Sequence, residues 1–168
     1  VPSPQKNKGS SWERKAAQEL SKLYGETFIR APGSGAYVGG TNNSRKAFLH
    51  EGQVRSFKGD IVPGESFPRF NAECKSYKEF PFHQLLSNKC TVLDTWISQL
   101  LDAADAGDFN ILIMKFNRKG QYICIESKHN PIAPSYVEYN SALHGSWRFI
   151  EYHTFWQYNA NLVKTLCK

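Results

Sequence analysis

The stretch Arg69-Phe70-Asn71-Ala72-Glu73-Cys74-Lys75-Ser76 decides the fold, because polar and apolar residues alternate along it. Successive side chains on a strand point to opposite faces. Phe70, Ala72 and Cys74 are therefore expected on one face, and Asn71, Glu73 and Lys75 on the other. Gly59-Asp60-Ile61-Val62 lies shortly before it, followed by the turn signal Pro63-Gly64. The order predicts a hairpin in which Asp60 ends the neighbouring strand and meets Glu73 and Lys75. Two carboxylates about 4 Å apart repel by roughly 4 kcal/mol at an effective dielectric near 20. The group thus reads as a site for a hard metal ion with an attendant ammonium. A plainer reading stands beside it. Glu73 and Lys75 could be exposed ladder charges worth a few tenths of a kcal/mol, and Asp60 could hold a Gly-Asp turn.

Upstream, a helix is expected from Ser10 or Ser11 to Tyr24, with Gly25 as its stop. Trp12, Ala16, Ala17, Leu20, Leu23 and Tyr24 form its apolar stripe, and Arg14, Lys15, Gln18 and Lys22 its polar side. Glu13 lies in line with Ala17, Leu20 and Tyr24, on the face to be buried. Ser10-x-x-Glu13 also fits a capping box, which would explain the same glutamate structurally. A short strand, Thr27 to Arg30, leads into Ala31-Pro32-Gly33-Ser34-Gly35. Residues 31–59 are rich in Gly, Ser and Asn. Arg45, Lys46, Arg55 and Lys58 stand there against the single acid Glu51, and residues 46–50 read as a minor strand.

Downstream, Val92, Leu93, Trp96, Ile97, Leu100, Leu101 and Ala104 give a second helix an apolar face, with Gln99 on its edge and Gly107 at its end. Two strands follow, 111–116 and 121–126. The apolar run Ile111-Leu112-Ile113-Met114 marks an interior strand. In the tail, residues 147–152 alternate like a strand and 155–166 read as a helix. This order predicts an α/β protein whose central mixed sheet is flanked by helices. Residues 1–9 read as a flexible basic arm and 10–168 as one domain, its core at about 10–126 and an extension after that.

A chain of 168 residues with 40% hydrophobic and 14% aromatic residues can bury a core and is not a disordered segment. Its net charge of +6 is spread along the chain, which suits a polyanion such as nucleic acid. The four cysteines show no CxxC spacing, so structural zinc and a disulfide framework are not expected, and a reducing compartment fits. No leader and no membrane-length apolar run is read, so a soluble, cytoplasmic protein is expected. HExxH and GxxxxGK[ST] are both absent from the sequence. The aromatic residues of the tail, from Tyr136 to Tyr158, suit core packing or a dimer interface.

Gly59-Asp60-Ile61, a spacer and Glu73-Cys74-Lys75 resemble the PD-(D/E)xK nuclease motif, with Gly59 where a proline is usual. Within that superfamily the chain is most similar to archaeal-type Holliday junction resolvases and their phage relatives. Gly9-Ser10-Ser11-Trp12-Glu13-Arg14 resembles their opening helix, and Arg30-Ala31-Pro32-Gly33-Ser34-Gly35 their strand-then-loop element. The resemblance runs from about Gly9 to Glu126; the long insertion before Gly59 and the tail have no counterpart in it. It implies a restriction-endonuclease-like core and a homodimer cutting branched, four-way DNA junctions with Mg²⁺ or Mn²⁺. Asp60, Glu73 and Glu13 would be the metal-site carboxylates and Lys75 the catalytic cation. Arg30, Ser34 and Gly35 would bind the backbone phosphate. The alternatives are a related nuclease cutting duplex or flapped DNA, or a non-catalytic nucleic-acid-binding module of the same fold. Cellular and viral origins both fit.

Overall fold

The computed structural model describes residues 4–32 and 58–168. Helix α1 spans Pro4–Tyr24 and is followed by two-residue strands β1, Ile29–Arg30, and β2, Ile61–Val62. Strand β3 is Phe70–Tyr77, α2 is the single turn His83–Leu86, and α3 is Thr91–Asp102. Then come β4, Phe109–Phe116, β5, Gly120–Glu126, and a 3₁₀ turn at Ser127–His129. The chain closes with β6, Val137–Ser141, β7, Gly145–Glu151, and α4, Tyr152–Leu166.

The main sheet runs β3-β4-β5-β7-β6, with β3 and β4 parallel and the other neighbours antiparallel. This is the mixed α/β sheet expected, a restriction-endonuclease-like core with β4 in its interior. Alternation along β4 explains why it is apolar throughout. Ile111 and Ile113 face a cluster holding Trp12, Ala16, Leu20, Phe155 and Val163 of α1 and α4. Leu112, Met114 and Phe116 face the opposite cluster, with Leu93, Trp96, Ile97 and Leu100 of α3. Phe70, Ala72 and Cys74 join the first cluster, on one face as their spacing required. Trp12 is fixed further by its indole N–H, which donates to the Ile113 carbonyl at 3.1 Å.

Three expectations need correction. α1 begins at Pro4 rather than near Ser10, so residues 4–9 of the expected arm are helical. Proline is tolerated in a first turn, where its missing N–H would have had no intrahelical partner. The hairpin between residues 60–62 and β3 does not form as a ladder, since β2 pairs antiparallel with β1, Ile29 opposite Val62 and Arg30 opposite Ile61. Pro63 has no N–H to extend a ladder, and Phe67, 1% exposed, draws the connection into the core instead. Strand β6 and helix α2 are additional elements, while the expected minor strand at 46–50 lies outside the described residues.

The carboxylate of Glu151 caps α4, accepting from the backbone N–H groups of Thr154 at 2.7 Å and His153 at 3.1 Å. Burial pushes its pKa up, but those two N–H groups, with the Thr154 hydroxyl and the charge of His153, outweigh it and hold the carboxyl below its ordinary range. Such a cap is worth about 1 kcal/mol. Glu151→Ala is expected to lower the melting temperature by about 2–4 °C at neutral pH. A depressed carboxyl contributes stability above its unfolded pKa and loses it as pH falls. Thermal melts should therefore show the difference shrinking below about pH 4.

Candidate functional site

At the outer edge of β3, residues from α1, β1, the 58–60 segment, β3 and α3 come together. Asp60 is fixed by two backbone contacts to that strand. Its own N–H donates to the Ala72 carbonyl at 2.8 Å, and its Oδ2 accepts the Cys74 N–H at 2.7 Å. The approach depends on Gly59, whose φ is +66°. A Cβ at Gly59 would lie 2.7 Å from the Ala72 carbonyl oxygen and 3.0 Å from Asn71 Oδ1. Gly59 therefore lets the chain lie flat against β3. From the other side, Ala31 donates to the Asp60 carbonyl at 2.8 Å, which ties β1 into the same cluster.

Glu73 and Lys75 leave β3 on one face, as the alternation required, and pair at 2.9 Å. Lys75 Nζ also donates to Gln99 Oε1 of α3 at 2.5 Å. The sequence signalled Gln99 as a polar residue on the edge of an apolar helix face, in a run, Trp96-Ile97-Ser98-Gln99, that also resembles the glutamine-bearing helix of some resolvase relatives. One turn deeper, Asn71 is wholly buried and donates to the Leu100 carbonyl and Asn110 Oδ1, both at 2.9 Å. These two bonds hold α3 against β3 and β4, so Gln99 reaches Lys75 from a fixed support.

Glu13 is 9% exposed on the inward face of α1. Ser10 is inside the helix, so the glutamate is no capping-box partner. Its Oε2 instead accepts from Arg30 Nε of β1. Arg30 thus balances a carboxylate in this state, with its other guanidinium donors free of that bond. Ser34 and Gly35 lie outside the described residues. Lys58 does not add to a basic loop surface as the sequence suggested. It is 8% exposed and pairs with Asp108 and, at 3.6 Å, with Asp105, anchoring the chain just before Gly59.

Glu13, Asp60, Glu73 and Lys75 line one pocket of about 510 Å³. Burial, then the charge of Glu73 and that of Glu13, push the Asp60 carboxyl up to about 8 against the opposing Cys74 N–H and Lys75. Burial also raises Glu73, with Glu13 adding to it and Lys75 opposing. The buried Cys74 thiol is pushed well above its ordinary range and is inert as a nucleophile at neutral pH. Among the described residues no three or more His, Cys, Asp or Glu side chains stand together as a ready-made metal cage. The carboxylates are instead held separately, Asp60 by backbone N–H, Glu73 by Lys75 and Glu13 by Arg30. An all-oxygen set of this kind suits a hard cation that takes one or two carboxylates and completes its shell with water and phosphate oxygens.

A family model described as "Phage putative PDDEXK endonuclease" matches residues 4–163 of the chain. No curated protein and no solved structure matches it. Among the described residues no helix is long and apolar enough to cross a membrane.

The raised Asp60 pKa fixes the sign of a stability effect. In the absence of divalent metal the folded protein keeps this proton up to about pH 8, whereas the unfolded chain loses it near the ordinary aspartate value of 3.8. Native stability therefore falls as pH rises between those values. Asp60→Asn keeps an acceptor for the Cys74 N–H and removes the ionisation. In chelator, its melting temperature should exceed that of the native protein by a margin that widens from pH 5 to pH 8. Melts at matched pH check this; a margin independent of pH would contradict the burial argument.

Proposed function

The chain belongs to this family of phage PD-(D/E)xK endonucleases, and from that premise we propose that it is a divalent-metal-dependent, structure-selective DNA endonuclease. The observation that carries the reading is the convergence of Glu13 of α1, Asp60 of the 58–60 segment, and Glu73 and Lys75 of β3 on one pocket. Asp60 and Glu73 would hold a Mg²⁺ or Mn²⁺ ion, with Glu13 completing its outer contacts or a second site. When bound, such an ion neutralises phosphoryl oxygens and lowers the pKa of a water ligand. The chain's own residues do the positioning. Glu73 and Gln99 aim the Lys75 ammonium at the pocket, where it orients the attacking water and stabilises charge as it develops on the phosphate. Arg30, with Ser34 and Gly35 of the following segment, would grip the backbone phosphate.

The preferred substrate in this proposal is a four-way Holliday junction, cut by a homodimer. Paired symmetric cuts need two active sites, and a two-fold dimer supplies them. Residues 10–168 would act as a single nuclease domain in the cytoplasm, with a virus-borne origin in keeping with the family. The competing enzyme would cut linear or flapped DNA with the same carboxylates.

A labelled four-way junction and a linear duplex of the same sequence, each incubated with Mg²⁺, separate these readings. Symmetric paired nicks in the junction alone are expected; equal cutting of both substrates removes the junction claim and keeps the nuclease. Glu73→Gln and Asp60→Asn should abolish cleavage, and Lys75→Ala should lower it by about 10²–10³-fold, while junction binding persists. Full activity in Glu73→Gln would refute the site. Mn²⁺ should raise the melting temperature of the native protein through binding to the folded state alone, and that rise should be lost in Asp60→Asn.

A further inference from the structure

A second, smaller pocket of about 300 Å³ adjoins the carboxylate site and shares Lys8, Ser76 and Asn117 with it. Its chemistry is opposite. Lys8, Lys15 and Lys115 line it, and among the described residues no carboxylate does. The local structure explains how the three cations meet. Lys8, Ser11 and Lys15 recur at three- and four-residue spacing, so they share one stripe of α1. Lys115 is the register partner of Ser76 across the parallel β3–β4 pair. One sheet face thus runs Ala72 and Ile111, then Cys74 and Ile113, then Ser76 and Lys115. It changes from apolar to cationic where α1 passes from its core stripe toward its start.

Trp12 forms the boundary between the two regions. It is 2% exposed, and the Lys115 ammonium lies 5.8 Å from its ring centre. An indole face attracts an ammonium, so Lys115 is held over the core rather than released to solvent. Lys15 makes an exposed contact of 3.8 Å with Glu19, a pairing of the weak, screened kind that a phosphate can displace. The Ser11 and Ser76 hydroxyls and the Asn117 amide add neutral donors to the three charged ones.

We propose that this pocket is a subsite for a non-scissile backbone phosphate of the nucleic-acid strand being cut. The shared residues, Lys8, Ser76 and Asn117, mark the path from the carboxylate site, where an ion and Lys75 would engage the scissile group, to the lysine pocket. The subsite fixes which side of the cut the protein holds, and so the strand's direction through the site. This inference rests on the nuclease reading of the neighbouring pocket.

The test scans a labelled four-way junction with one uncharged methylphosphonate at each backbone position in turn. Binding is measured in chelator, and cutting of the unmodified junction is measured with Mg²⁺. The native protein should lose about tenfold in affinity at one position beside the cut. The double variant Lys15→Gln/Lys115→Gln should show no further loss at that position, and a smaller salt dependence of binding by about one to two in log–log slope. Lys15→Arg/Lys115→Arg, which keeps both charges, should restore the native pattern. A native protein that cuts the junction yet shows no sensitive position, or an unchanged pattern in the glutamine variant, overturns the subsite and leaves the nuclease reading intact. A native protein that shows the lysine-dependent position but never cuts overturns the nuclease reading and leaves the phosphate subsite. Absence of both binding and cutting overturns the two together.

Discussion

The two backbone contacts that fasten Asp60 to the outer edge of β3 govern the rest of the site. An edge strand presents unpaired N–H and C=O groups, which proteins must cover or blunt. Here the segment from Lys58 to Asp60 covers part of that edge. Its amide takes the Ala72 carbonyl, and its side-chain oxygen takes the Cys74 N–H. A carboxylate is thereby held at the strand that also carries Glu73 and Lys75. Gly59 permits the contact by having no Cβ to meet the Ala72 oxygen. Lys58 secures it from behind through a buried pairing with Asp108. Removing one partner of a buried pair is costlier than the pair is stabilising, so Lys58 serves better as an anchor than as a source of net stability.

That arrangement concentrates charge where burial is unfavourable to it. The raised pKa values of Asp60 and Glu73 express the conflict directly, with burial leading in each case. Two cations limit it without cancelling it. Lys75 pairs with Glu73, and Arg30 pairs with Glu13. The residual strain is what a functional site commonly carries at the expense of stability. The surrounding structure tolerates it because both faces of the sheet are closed by α1, α3 and α4, each contributing a dense apolar stripe.

How far the sequence disclosed this depended on the regularity of each signal. The period of two along Phe70 to Lys75 predicted both faces of β3, and the unbroken apolar run at Ile111 to Met114 predicted an interior strand. Both follow from geometry that does not depend on distant partners. Glu13 was legible as an anomaly on a buried face, but its partner was not, since Arg30 is brought to it by the β1–β2 pairing. That pairing was itself misread. Pro63-Gly64 suggested a hairpin with β3, yet the nearest available ladder for Ile61 and Val62 was the short β1. Lys58 looked like one more loop cation because its acids, Asp105 and Asp108, lie far along the chain. Gln99 was visible as an edge residue and by resemblance, but its contact with Lys75 is set by the packing of α3. β6 carries the mixed run Val137-Glu138-Tyr139-Asn140-Ser141, with too few apolar positions to stand out. In each case the missing information was tertiary, and local pattern alone could not supply it.

The position of the site in the sheet completes the argument. In open α/β sheets, ligands favour the crevice beyond the carboxyl ends of parallel strands. β3 and β4 are the parallel pair, and Tyr77 and Asn117 at their carboxyl ends line the carboxylate pocket. Asn117 also donates its backbone N–H to the Tyr77 carbonyl at 3.1 Å, which keeps the two strand ends together past the last ladder pair. Tyr77 in turn stacks on Trp96 of α3 at 5.1 Å, fixing the ring at the rim of the pocket. The same helix presents Gln99 to Lys75. One crossover helix therefore supports both the cation of the site and an aromatic wall beside it. Because α3 is the connection that makes β3 and β4 parallel, the topology that builds the sheet also places the groups that border its chemistry.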